Sequence, residues 1–142
     1  MHTSTDLAPD TIVVSTPFSL AITAPLATES LAKLLSSEGK KIELGSWTER
    51  QLVISYVALH WVVGQPENGP PELMHYPYLA TLPAPNTLRT PLQFRQVEFH
   101  LLKATNLFGA ANDRVADWKE EWKVCKAVVE NSNTGWGKGF TW

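Results

Sequence analysis

Residues 46–64 read SWTERQLVISYVALHWVVG, and the rest of the chain takes its place around them. Ser46, followed three residues later by Glu49, has the form of a capping box, in which each residue satisfies a backbone N–H beside the other. From Leu52 to Val63 apolar side chains recur on almost every side of a 3.6-residue helix. A helix of that kind is covered over most of its surface, so it belongs at the centre of the core. Gly64 closes it by supplying a left-handed cap. This reading predicts burial of Leu52, Val53, Tyr56, Val57 and Leu59. The apolar run falls short of the roughly 20 residues a bilayer span needs, and Ser55 and His60 interrupt it.

Upstream, Pro25 opens a shorter helix through about Ser36, with Leu31, Leu34 and Leu35 on one face, and Ser36-Ser37-Glu38-Gly39 stops it. Before it, β-branched Ile12-Val13-Val14 and the alternating Phe18, Leu20 and Ile22 predict strand, with Pro17 at a bend or edge. Downstream, Gln65 to Pro91 carries seven of the ten prolines and reads as a long irregular loop, packed by Tyr76, Tyr78, Leu79 and Leu82. No two prolines stand three apart, so there is no PxxP ligand. A third helix is expected from about Arg95 to Asn106, with Val97, Leu101 and Leu102 apolar. A fourth is expected from about Asn112 to Glu130. Val115, Trp118, Trp122, Cys125 and Val129 there repeat at 3, 4, 3 and 4, a seam for docking on a core. Burial of Trp118, Trp122 and Leu101 follows. Gly135-Trp136-Gly137-Lys138-Gly139 reads as a flexible connector. The expected fold class is α+β and predominantly helical. Residues 1–24 form a short β segment, and 25–142 a helical region.

The 142 residues suffice for one core. With 44% hydrophobic and 18% charged residues, the composition is globular rather than disordered. A net charge of -2, with Lys and Arg scattered among acids, argues against nucleic acid or an anionic membrane as partner. Met1 to Asp10 has neither the basic nor the apolar region of a signal peptide. Cys125, the single cysteine, excludes an intrachain disulfide and any multi-cysteine zinc site. It is expected to be buried and inert. His2, His60, His75 and His100 include no pair at helical metal-ligand spacing. His60 reads as a hydrogen-bonded core residue, Tyr56 as packing. There is no GxSxG, and the P-loop spacing before Lys138 fails because position 132 is Ser.

One set of spaced motifs is more specific. Tyr78-Leu79-Ala80-Thr81-Leu82-Pro83 is followed by Thr90-Pro91-Leu92-Gln93-Phe94, then Glu98 and Leu101-Leu102-Lys103-Ala104-Thr105-Asn106-Leu107. This resembles the "PYL..LP … TPL.F … E…LKGTNL" signature of the SET-domain methyltransferases of the Rubisco large-subunit and ribosomal-protein lysine type. Asp117-Trp118-Lys119-Glu120-Glu121-Trp122 resembles that family's "EWREEWE" helix. Residues Ala8 to Pro17 resemble its "I..NEVVLEIP" strand and turn, and Phe140-Thr141-Trp142 the start of "FTWEDFLWA". Ala104 stands where the family has glycine, which suggests a shallower kink there.

The resemblance implies part of an S-adenosylmethionine-dependent protein-lysine N-methyltransferase. The parts are early strands of an incomplete SET domain and the helical insert beside the active-site cleft, which helps hold the protein substrate. The family's early GxG segment, its Asn-His motif and its catalytic tyrosine have no counterpart here, and no asparagine is followed by histidine. Gly135-Trp136-Gly137 lies at the wrong end to serve as that GxG. No residue is therefore assigned a catalytic, cofactor-binding or metal-ligating role. The chain alone is expected to be inactive, to bind no cofactor, and to contribute substrate docking. The expected partners are a ribosomal or other cytosolic protein or the remainder of the SET domain, in the cytoplasm or nucleus. The alternatives are a non-catalytic helical interaction module and a truncated product.

Overall fold

The computed structural model describes residues 6–36, 41–64, 69–84, 87–132 and 134–141. At its centre two helices pack closely, α1 (Ala24–Leu35) and α2 (Glu49–Val63). Thr23 caps α1, its hydroxyl accepting the Leu26 N–H at 3.4 Å, and Pro25 fits the first turn, where its missing N–H costs nothing. Ala27, Leu31 and Leu35 fall one turn apart and are buried against α2, where Leu52, Tyr56 and Leu59 face them in a single core with Leu44 and Trp47. The Ser37 to Gly39 part of the expected stop signal lies outside the described residues; Ser36 itself is the cap.

Thr48 rather than Ser46 caps α2. Gln51 N–H donates to Thr48 Oγ1 at 3.3 Å, and Thr48 N–H to Gln51 Oε1 at 2.8 Å. Two capping patterns overlap here, two residues apart. Ser46 is spent in a turn with Gly45, closed by Trp47 N–H to the Leu44 carbonyl at 3.0 Å, and that turn brings Trp47 into the core. Glu49 becomes the first helical residue, where its charge suits the positive end of the dipole. Gly64 ends the helix with φ 73°, a left-handed value only glycine adopts freely. Burial of α2 is less complete than its composition suggests. Val53 and Val57 are half-buried, and Ile54 and Trp61 are exposed.

The expected N-terminal β segment is absent: no strand occurs among the described residues. Residues 11–17 take no regular secondary structure, with Ile12, Val13 and Val14 exposed, and Phe18–Leu20 form a single 3-10 turn after Pro17. A strand exists only through a partner ladder, and β-branched residues alone do not supply one.

The third helix is shorter than expected. α4 covers Gln96–His100 and gives way to a turn at 101–104. The break is complete rather than a shallow kink, although Ala104 replaces glycine. It is made one residue later, where Thr105 is extended (φ -117°, ψ 156°) and its hydroxyl donates to the Leu102 carbonyl at 2.8 Å. Leu101, expected in the core, is 79% exposed as a result. The last helix, α5 (Asn106–Asn131), starts six residues before the expected boundary. Its seam is buried only toward the C-terminal end, at Cys125 and Val129, with Val115, Trp118 and Trp122 half-buried. Arg50 of α2 reaches α5 in a two-pronged pair with Glu121, its Nε donating at 2.9 Å.

The glycine-rich segment is a packed turn, not a connector. Gly135, at φ 78°, reverses the chain, and Trp136–Lys138 form a 3-10 turn lying back on α5. A Cβ on Gly137 would stand 2.8 Å from Glu130 Cα, and one on Gly139 2.9 Å from Val62 Cγ1. Those approaches deliver Phe140, wholly buried, onto Trp122, the rings stacked at 4.2 Å and 9°.

Candidate functional site

The loop expected to carry function is seated on α2 by one buried group of side chains. Tyr56 on α2 has no exposed surface. Its hydroxyl lies 2.9 Å from the Glu72 carbonyl and 2.7 Å from His75 Nδ1. The proton count settles the roles. A carbonyl only accepts, so the phenol donates to Glu72, and His75 donates Nδ1–H to the phenol oxygen. By the same reasoning His60 donates Nδ1–H to the Tyr56 carbonyl at 2.8 Å. Both imidazoles thus carry their proton on Nδ1. Burial pushes the Tyr56 phenol up to about 12 and holds His60 below the ordinary histidine range, with His75 adding to that depression. His60 is the hydrogen-bonded core residue expected. The link from Tyr56 to His75 escapes sequence reading because 19 positions separate them.

Seated this way, the segment Pro71–Leu79 shows one side to the core and one to solvent. A 3-10 turn (Pro71–Leu73) and the single-turn helix α3 (Tyr76–Leu79) bury Leu73 and Leu79. Tyr78 and Leu82 were expected to pack the loop, but they are 57% and 37% exposed. They line two apolar hollows instead. One, of about 700 Å³, lies between Trp61 of α2 and Leu79, Leu82, Pro83 and Leu88. The other, of about 650 Å³, lies between Met74, His75, Tyr78 and the arm residues Thr16, Leu20 and Ile22. Both are lined mainly by apolar groups, with no convergent set of acids and bases.

Among the described residues no three His, Cys, Asp or Glu side chains stand close enough to hold a metal ion. Burial pushes the Cys125 thiol up, partly offset by the hydroxyl of Ser55, and leaves it a poor nucleophile. The glycine cluster does not fit S-adenosylmethionine. A glycine cradle works by leaving room for a ligand against the backbone, and Glu130 and Val62 already fill that room at Gly137 and Gly139. Among the described residues no helix is long and apolar enough to cross a membrane.

No protein-family profile matches the chain, and no solved structure matches it. Over 118 residues it is 31% identical to the ribosomal lysine N-methyltransferase set10 of Schizosaccharomyces pombe. The match covers 83% of this chain and 19% of that protein, so the chain spans about a fifth of the length of the curated relative it matches. It is a distant, partial homologue of a lysine methyltransferase.

Proposed function

We propose that the chain is the substrate-docking part of an S-adenosylmethionine-dependent protein-lysine methyltransferase of the SET type, and that alone it transfers no methyl group. The observation that carries this reading is the identity to a ribosomal lysine N-methyltransferase over 83% of the chain. The apolar hollows on Pro71–Leu79 support it. Methyl transfer needs a neutral amine held in line with a sulfonium and shielded from water. Apolar hollows beside such a centre hold a protein segment in register without competing for the amine. In this reading residues 1–24 contribute to a SET core and 25–142 form its helical insert. A ribosomal or other cytosolic protein is the substrate, met in the cytoplasm or nucleus.

The test is a chimera in which residues 25–142 replace the matching segment of the fission-yeast relative. A folded chimera that methylates lysine supports the reading. Trp61→Ala in it should raise KM for the protein substrate severalfold with kcat little changed, since Trp61 supplies binding and no chemistry. A folded chimera without transfer overturns the proposal. That outcome would favour a second reading, a helical interaction module, for which the apolar lining of both hollows also speaks.

A further inference from the structure

The segment Pro71–Leu79, which helps line both hollows, is fastened to α2 at one point. Among the described residues its hydrogen bonds to α2 are those at the Tyr56 hydroxyl, which donates to the Glu72 carbonyl and accepts from His75 Nδ1. Its own backbone bonds are local: Leu73 N–H to the Pro70 carbonyl, Leu79 N–H to that of His75, and Ala80 N–H to that of Tyr76. Of its side chains, only Leu73 joins the core that α1 and α2 build. The segment is therefore a unit that can leave α2 without undoing its own turns or opening that core.

The fastening is made of rings that pay heavily for a proton in place. The His60 and His75 rings stand edge to face with centroids 6.3 Å apart, and the Tyr56 ring lies 4.6 Å from one and 5.7 Å from the other. Both Nδ1–H groups are used, and both Nε2 atoms are buried with no hydrogen-bond partner among the described residues. A neutral imidazole leaves only a lone pair unmatched there, whereas a protonated one leaves a charged N–H, which is far costlier to bury. The surroundings offer no compensating anion among the described residues. His75 is the ionisable neighbour that shifts His60, and it opposes the cation. From α1, Glu29 pairs with Lys33, and Lys33 also draws on the Glu72 carboxylate. From α5, Glu121 pairs with Arg50, Glu130 with Lys126, and Cys125 is a buried thiol. The loop adds the Tyr76 and Tyr78 phenols and the C-terminal turn adds Lys138, none of them an anion near neutral pH. The arm residues beside His75, Thr16, Leu20 and Ile22, carry no charge.

We propose that Tyr56, His60 and His75 form an acid-released latch: when the imidazoles take up protons, Pro71–Leu79 detaches from α2 and both hollows come apart, while the α1–α2 core stays folded. In the detached state the rings meet water and bind protons at the ordinary histidine value of about 6.5. The segment is thus seated above that pH and detaches as pH falls through the lower value of seated His60. Between the two values, detachment gains about tenfold per pH unit for each proton taken up. The latch concerns the loop alone and holds whether or not the loop serves a methyltransferase.

The experiment is an NMR titration of the labelled chain from pH 7.5 to 4.5, following backbone amides and imidazole carbons together. The expected result is that the His60 ring signals and the Leu73, Leu79 and Ala80 amides change with one shared midpoint, the amides moving to unfolded-chain positions. Leu31 of α1 and Leu59 of α2 should keep their folded positions through that change. The double variant His60→Gln with His75→Asn, whose amides still donate but stay neutral, should keep the segment seated to pH 4.5. Tyr56→Phe, which unpairs His75 Nδ1–H and the Glu72 carbonyl, should raise the midpoint by about one pH unit, and it serves if the double variant does not fold. Rings that titrate while the loop amides stay in place, no loop transition by pH 4.5, loss of Leu31 and Leu59 together with the loop, a double variant that still releases it, or an unmoved midpoint in Tyr56→Phe would each overturn the proposal.

Discussion

Gly137 shows how much one missing methyl group can decide. A Cβ there meets Glu130 at Cγ, which can swing aside, and at Cα, which is backbone and cannot. Gly137→Ala should therefore lower stability by about 1–3 kcal/mol, the range for overpacking. Urea denaturation read by tryptophan fluorescence gives the answer, and a wild-type midpoint would show that the turn shifts freely. For this reason a bulky substitution at Gly137 reports on packing before it reports on any ligand. His60 supports a second prediction. Its folded pKa lies below the ordinary 6.5 because burial penalises the cation. The unfolded chain then binds the proton more readily, so the stability His60 contributes is present above about pH 6.5 and is lost as pH falls through its lower folded value. Unfolding free energy measured from pH 7.5 to 5 should fall more steeply for the wild type than for His60→Gln. Parallel curves would mean the imidazole titrates as though exposed.

At the scale of elements, α5 is held where its C-terminal half meets Phe140 and α2. Trp122→Ala removes the stacked ring, and because Trp122 is half-buried the cost should be about 2–3 kcal/mol, below the 3–5 of a fully buried aromatic. Leu101→Ala is the contrast: at 79% exposure it should change stability by no more than about 0.5 kcal/mol. Thermal melts of the two variants separate these outcomes, and equal shifts would contradict the arrangement of α5. The helical periods of α1 and α2 were legible because core-facing repeats run through several turns there, although the cap of α2 lies two residues past Ser46. The α4–α5 boundary was not, since Leu101 and Leu102 continue an apolar pattern that the extended Thr105 interrupts. The glycine turn misled for a related reason. Three glycines look permissive in sequence, yet only Gly135 uses that freedom, at φ 78°, while Glu130 and Val62 crowd Gly137 and Gly139.

Across the whole molecule, the β segment expected within residues 1–24 is absent among the described residues, while the helical region formed. Strand pairing depends on residues far away in sequence or on another chain, whereas each helix closes its own hydrogen bonds. Ile12 to Phe18 should accordingly exchange their amide hydrogens within the dead time of a manual experiment, while the amides of α2 are protected by orders of magnitude more. Slow exchange at Ile12–Val14 in dilute solution would reveal a partner for that edge. The docking hollows of the proposed function could not be read from sequence for a similar reason, because they are assembled from Trp61, Leu79 and Leu88, which no local pattern links.

The uneven burial of α5 has a mechanical corollary. Its 26 residues span about 39 Å, and the firm hold lies around Trp122, Cys125 and Val129. Some 24 Å of helix run from Trp122 to Asn106, outside the main core, with Ala111 buried on the way, carrying the Pro91–Gln93 turn and, through the Phe99–Phe108 ring contact at 4.8 Å, α4 at the far end. A tilt of about 10° at the fulcrum would sweep that end through about 4 Å, close to the width of a side chain. Small adjustments where α5 meets Phe140 are thus geared up at the tip, and a partner grasping α4 would have that leverage over the core in return.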